Sequence, residues 1–231
     1  MVLFELNCQR LGLINLKYKL QGIVLLVASF SIQAETLSIS AAASLAPSLE
    51  QVAKVYESIY ANDTLKINYA SSSVLARQIQ YGAPTDIYLS ANKKWIDFLE
   101  SKTMILSNSI APFISNQLVI AKSNHSVSRK INQSCFDQAT TIAMIKTLGS
   151  LNKKIVVADM THVPLGIYSK QVLINSGQFA LFTDKLIPSA NARSALAFVE
   201  QEHANFALLY YSDAINSDMV DIVCIIPSDF H

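Results

Sequence analysis

The chain has 231 residues, 18 Lys and Arg against 17 Asp and Glu, and an apolar share of 51%. So even a charge balance supplies no basic field for nucleic acid or an anionic membrane surface. The three cysteines and four histidines show no CxxC or Cys/His ligand spacing, so no metal-cation site is expected.

Residues 1–34 read as a secretory signal. Arg10, Lys17 and Lys19 precede an apolar run from Gly22 to Ile32, and cleavage is expected after Ala34. The run is short of the roughly 20 residues that cross a bilayer; an uncleaved anchor is the alternative. The leader holds three of the 18 basic and one of the 17 acidic residues, so the remaining 197 residues carry a net charge of −1. Cys8 leaves with it. Cys135 and Cys224 remain, and the sequence leaves open whether they form a disulfide or stay as buried thiols.

The stretch from Thr36 to Ala46, TLSISAAASLA, alternates as a strand, breaks into small residues and opens a helix, with Ser44 placed to cap it. A helix follows over Leu45–Tyr60, with Leu45, Leu49, Val52, Ala53, Tyr56 and Tyr60 on one face and Pro47 in its first turn. Leu65–Tyr69 alternates as a second strand and runs through Ala70-Ser71-Ser72-Ser73 into a helix over Val74–Tyr81, ended by Gly82-Ala83-Pro84. Asp86–Ser90 is a third strand, and Lys93–Ser101 a helix that carries Trp95. Strand then helix, three times over, predicts a mostly parallel sheet.

Ser115–Lys122 reads as a strand crossing from a first lobe to a second, followed by a polar irregular stretch. A helix is predicted over Phe136–Leu148, ending at Gly149, and a strand over Lys154–Ala158 that leads into the loop before Pro164. The next helix spans Leu165–Ser176 and stops at Gly177. Leu186-Ile187-Pro188 leads to a helix over Asn191–His203, and Ala207–Leu209 is a short strand ending at Tyr210-Tyr211. Ser212 or Asp213 is placed to cap the turn after it, and Asp221–Ile226 is a last strand, read as the return crossing.

The strand-to-helix junctions point to chemistry. A helix start exposes unpaired N–H groups and the positive end of the helix dipole, which suits an anion. The first lobe offers such junctions at Ser44 and Ser72, and the second offers helix starts near Leu165 and Ala192 with an aromatic hydroxyl at Tyr210. Open parallel sheets bind ligands beyond the carboxyl ends of their strands, so these points are placed to meet in one cleft. Neutral donors suit a small, fully deprotonated oxyanion. A phosphate that keeps a proton needs an acceptor as well. Arg77, Arg193 and His162 lie near these junctions, but they are read as structural, His162 as ordering its loop. For catalysis the sequence has no GxSxG elbow, and its two SxxK matches, at Ser90 and Ser150, lack the companion elements.

AAASLA at 41–46, ASSSVLARQIQYGAPTDIYLSANKKWID at 70–97, HVPLGIYSKQVL at 162–173, ARSALAFVE at 192–200 and LLYYSDA at 208–214 together resemble the periplasmic molybdate-binding proteins of ABC importers. The resemblance covers nearly all of the chain after the leader, in order. It implies an α/β, two-lobed type II periplasmic binding protein fold, with mostly parallel sheets flanked by helices and a two-stranded hinge. Lobe 1 would comprise residues 35–117 and 222–231, and lobe 2 residues 118–221. Such a protein is a periplasmic monomer that closes on molybdate or tungstate and delivers it to a membrane permease, with no catalysis and no cofactor. Carried over by position, Ser44 and Ser72 would bind the oxyanion through hydroxyl and backbone N–H, Leu165 and Ala192 through backbone N–H, and Tyr210 through its phenol. Leu165 departs from the alanine usual in relatives, which implies a narrower cleft or altered closure. Relatives also continue for roughly three dozen residues beyond the return crossing, so exposed apolar surface is expected on the first lobe. A binder of another oxyanion such as sulfate, or a truncated inactive paralogue, is the alternative.

Overall fold

The computed structural model describes residues 36–124, 135 and 137–231. The expected signal at 1–34, most of the polar stretch after Lys122 and the helix start at Phe136 lie outside them.

The first sheet contains β1 (Thr36–Ala42), β2 (Thr64–Ala70) and β3 (Ile87–Leu89), in the order β2-β1-β3 and parallel throughout. Helices α1 (Ala46–Ile59), α2 (Ser72–Gln80) and α3 (Lys93–Glu100) follow its three strands in turn. The second sheet contains β4 (Leu118–Ser123), β5 (Ile155–Ala158), β6 (Leu186–Ser189), β7 (Phe206–Tyr210) and β8 (Val220–Ile226), in the order β6-β5-β7-β4-β8. β5, β6 and β7 run parallel, while β4 is antiparallel to both β7 and β8. Its helices are α4 (Gln138–Ser150), α5 (Pro164–Asn175), α6 (Ala192–Glu200) and α7 (Tyr211–Ile215).

Local chemistry explains where these elements depart from the expected boundaries. Gly149 does not end α4. A Cβ there would stand 2.8 Å from that of Leu181, so the glycine serves close packing inside the helix. Pro188 sits within β6, where it is tolerated because β6 is an edge strand. Neither Ser212 nor Asp213 caps α7; Tyr210 itself occupies the N-cap position without a side-chain bond.

The main core belongs to the second sheet, where Val119, Val156, Leu209 and Ile226 are buried from four of its strands. The final residues join it. The sequence reading assigns 222–231 to the first lobe, but Phe230 is buried in this core and its carbonyl accepts from Asn175 Nδ2 of α5 at 3.0 Å. The first sheet gathers only a small cluster around Ala76, Trp95 and Leu99. Most of the exposed large apolar side chains lie on that half, among them Val55, Ile59, Tyr81, Leu106, Phe113 and Ile114. None of the residues of α1 is buried.

Cys135 and Cys224 form a disulfide that ties the segment before α4 to β8 across 89 positions. Closing so long a loop restricts the unfolded chain strongly. Replacing both cysteines by alanine should lower the unfolding free energy by about 2–5 kcal/mol in urea titrations. A variant as stable as the parent in non-reducing buffer would contradict the bond.

Candidate functional site

Six parallel strands deliver their carboxyl ends to one cavity. It is lined by Ala42, Ala43 and Ser44 after β1, Ser71 and Ser72 after β2, and Ala91 after β3. From the second sheet come Val163, Pro164 and Leu165 after β5, Asn191 and Ala192 after β6, and Tyr210 at the end of β7. The space among them that would admit a water-sized sphere is small, about 10 Å³, and none of the lining residues is charged. All five residues singled out in the sequence, Ser44, Ser72, Leu165, Ala192 and Tyr210, are brought together here.

Their local settings explain what each offers. Ser44 is not an N-cap: β1 runs on to Ala42, and Ala43–Leu45 form a 3-10 turn before α1, without a side-chain cap on either. Its hydroxyl is therefore not spent on the helix. Ser72 is the first residue of α2, two positions earlier than the expected helix start, and Ser71 holds the N-cap position without a side-chain bond. The Ser72 hydroxyl oxygen accepts from the Ala91 N–H at 3.0 Å, and its carbonyl accepts from Tyr88 Oη at 2.7 Å. With a lone pair already engaged, the Ser72 O–H is oriented to donate. Burial pushes the Tyr88 hydroxyl up to about 12, so that donor stays protonated.

α5 likewise begins without a side-chain cap, at Pro164, which has no N–H of its own. Leu165 and Gly166 therefore supply its first two N–H groups. Gly166 is required here, because a Cβ would fall 2.2 Å from the carbonyl oxygen of Asp159. Leu165 itself is buried in the core of the second sheet, so its bulk faces a packed interior as well as the cavity. At α6 the Asn191 side chain takes the N–H of Ser194 at 2.9 Å in a capping box, which leaves the Ala192 N–H uncapped. Helices α3 and α4, which contribute nothing to the cavity walls, are capped by Asn92 and Asp137.

Tyr210 is only 6% exposed, and its hydroxyl has no hydrogen-bond partner among the described residues. Burial raises its pKa, with smaller contributions from Tyr168 and Asp213, so it remains a neutral donor. An unpaired buried hydroxyl costs about 1–3 kcal/mol, which an acceptor in the cavity would recover.

The sequence reading did not single out Ala43, Ser71, Ala91 or Asn191. Their common signal is a small or capping residue just past a strand end. The two arginines stand apart from the cavity walls. Arg193 Nη1 lies 3.6 Å from the buried Asp213, and Arg77 lines a larger open groove at the far end of α2 with Val74, Gln78 and Tyr81. That groove meets the carbonyl end of a helix, the wrong polarity for an anion. Tyr211 is bonded through its backbone N–H to Gln117 and does not line the cavity. Among the described residues no group of three His, Cys, Asp or Glu could hold a metal ion.

A shell of small residues and helix starts at the carboxyl ends of two α/β sheets is the arrangement of a binding protein with a small interior site. The chain belongs to the bacterial extracellular solute-binding protein family, whose profile matches residues 37–231. It is 34% identical to the molybdate-binding protein ModA of Escherichia coli K12 over 195 residues, 84% of this chain and 73% of that protein. ModA of Haemophilus influenzae is 31% identical over 204 residues, 88% and 76% of the two chains. The periplasmic molybdate-binding protein of Azotobacter vinelandii shares the fold, with a TM-score of 0.67 at 18% identity over 84% of this chain and 80% of that one.

Asp213 provides a pH test of the packing behind Tyr210. Desolvation raises its pKa from 3.8 to about 6, and Arg193, beyond normal hydrogen-bond distance, offsets only part of that cost. Below pH 4 the carboxyl is protonated in folded and unfolded chains alike. Between about pH 4 and 6 the folded chain retains a proton that the unfolded chain has lost, so stability falls as pH rises, by about 3 kcal/mol. Relative to Asp213→Asn, the parent should show this loss in urea titrations at pH 4 and 6.5. A constant difference would contradict it.

Proposed function

We propose that this protein is a periplasmic receptor that captures molybdate or tungstate in the cavity between its two sheets and delivers it to the membrane permease of an ABC importer. The observation that carries the reading is a cavity lined wholly by neutral groups, where a buried phenol with no partner among the described residues meets three helix starts. Ser44 and Ser72 donate hydroxyl and backbone N–H, Leu165 and Ala192 donate backbone N–H, and Tyr210 donates its phenol. Such a set fits a tetrahedral dianion that only accepts hydrogen bonds. The site needs no cofactor and performs no catalysis; the ligand is cargo.

Residues through 117 form one lobe and residues from 118 the other, joined by the single crossing that leads into β4. Each lobe holds part of the donor set, so the anion binds the closed form better than the open one. The receptor acts as a monomer exported by its N-terminal signal.

A thermal melt with molybdate or tungstate at 100 times its dissociation constant, and with sulfate or phosphate at the same concentration as molybdate, tests the reading. Molybdate and tungstate should each raise the midpoint by about 5–10 °C, while phosphate leaves it unchanged. A shift with sulfate alone would reassign the ligand, and no shift with any anion would overturn the proposal. Ser44→Ala combined with Ser72→Ala removes two donors to a charged acceptor, worth about 3–6 kcal/mol together. It should therefore abolish most of the molybdate shift, and full retention would overturn the site assignment.

A further inference from the structure

We infer that Ser73, Trp95 and His162 form a strut across the cavity that fixes the spacing of its two walls and so sets how long the anion is retained. The inference rests on the molybdate reading for its kinetic consequence, but the strut itself is a matter of geometry. Ser73 follows Ser72 on α2, and its hydroxyl lies 2.8 Å from His162 Nδ1 on the loop between β5 and α5. Trp95 of α3 donates its indole N–H to the His162 carbonyl at 3.0 Å. One residue is thus held by side chain and backbone from two helices of the opposite half.

Both ends of the strut are anchored. Ser73 is 1% exposed and is also bonded to the Ser71 hydroxyl at 3.0 Å, while Trp95 is 6% exposed within the small core of the first sheet. On the other side, Asp159 Oδ2 stands 3.8 Å from His162 Nε2, and Asp159 Oδ1 is fixed by the Thr161 N–H at 2.8 Å. The loop then passes to Val163 and Leu165, and Gly166 packs on the Asp159 carbonyl. A change in the Ser73–His162 separation therefore moves the Ser72 and Leu165 N–H groups apart. These are positioning residues; none of the three lines the cavity.

Ser73, His162 and Asp159 also have the composition of a nucleophilic triad, which the sequence spacing did not reveal. The geometry argues against that role. The Ser73 hydroxyl is buried, is engaged by both Ser71 and His162, and does not reach the cavity wall. A group that must attack a substrate needs a path to it.

The test uses the whole mature chain and stopped-flow release of molybdate from the parent, His162→Ala, His162→Asn and Ser73→Ala. Asn places a polar atom close to the position of Nδ1, so it can keep the bond to Ser73. His162→Ala and Ser73→Ala should each speed release by about two- to tenfold, the worth of one such hydrogen bond, with association little changed. His162→Asn should restore slow release, and the double variant Ser73→Ala/His162→Ala should be no faster than either single one. A general loss of packing would not be rescued by Asn. Release at the parental rate in His162→Ala would overturn the strut. A second readout needs no ligand: Trp95 is the sole tryptophan, and its quenching by acrylamide should rise severalfold in His162→Ala and return in His162→Asn. Failure of the parent to bind molybdate would sink the ligand reading alone. The quenching series would still decide the strut, with parental quenching in His162→Ala overturning it.

Discussion

The structure depends on helix N–H groups that no side chain of the same helix satisfies. Each parallel strand that reaches the cavity hands over to a helix or turn whose first amides find no intrahelical acceptor. At α2 and α5 the sequence supplies no capping side chain, and at α6 the cap takes the third amide and leaves the first. Asn92 and Asp137 do cap α3 and α4, whose own residues line no part of the cavity. The cavity thus meets two uncapped helix starts and a third whose cap spares the first amide. It concentrates unspent donors in one place, and the buried Tyr210 hydroxyl adds another.

Building an anion site from neutral donors has a consequence for selectivity. Charged side chains would attract any anion, protonated or not, and would cost desolvation when the cleft closes. Rigid amides and hydroxyls favour a ligand that presents acceptors in every direction. The Ser72 hydroxyl is already turned outward by the Ala91 amide, and the Asn191 oxygen is occupied by the Ser194 amide. The cavity therefore has little capacity to accept a proton from phosphate. The carboxylate-guanidinium pair of Arg193 with Asp213 is kept outside the cavity wall.

Much of this was legible in the sequence because it rests on short-range patterns. The junctions at Ser44, Ser72, Leu165, Ala192 and Tyr210 follow from strands ending in small residues before a helical period, and all five line one cavity. The alternation of strand and helix was equally plain. What failed was local detail that depends on distant neighbours. Ser44 looked like a cap because the 3-10 turn at 43–45 has no sequence signature of its own. Gly149 looked like a terminator because its contact with Leu181 spans more than thirty positions. The pairing of Cys135 with Cys224, the packing of Phe230 on α5 and the meeting of Ser73 with His162 are all long-range events. No periodicity encodes them.

The central claim is that neutral donors from both sheets surround one oxyanion. The most direct test is anomalous diffraction at the molybdenum edge from crystals grown with molybdate. The account predicts a single strong peak enclosed by Ser44, Ser72, Leu165, Ala192 and Tyr210, with ligand oxygens at hydrogen-bond distance from the named hydroxyls and amides. A peak beside Arg77 or another charged surface group, with the cavity unchanged, would contradict it.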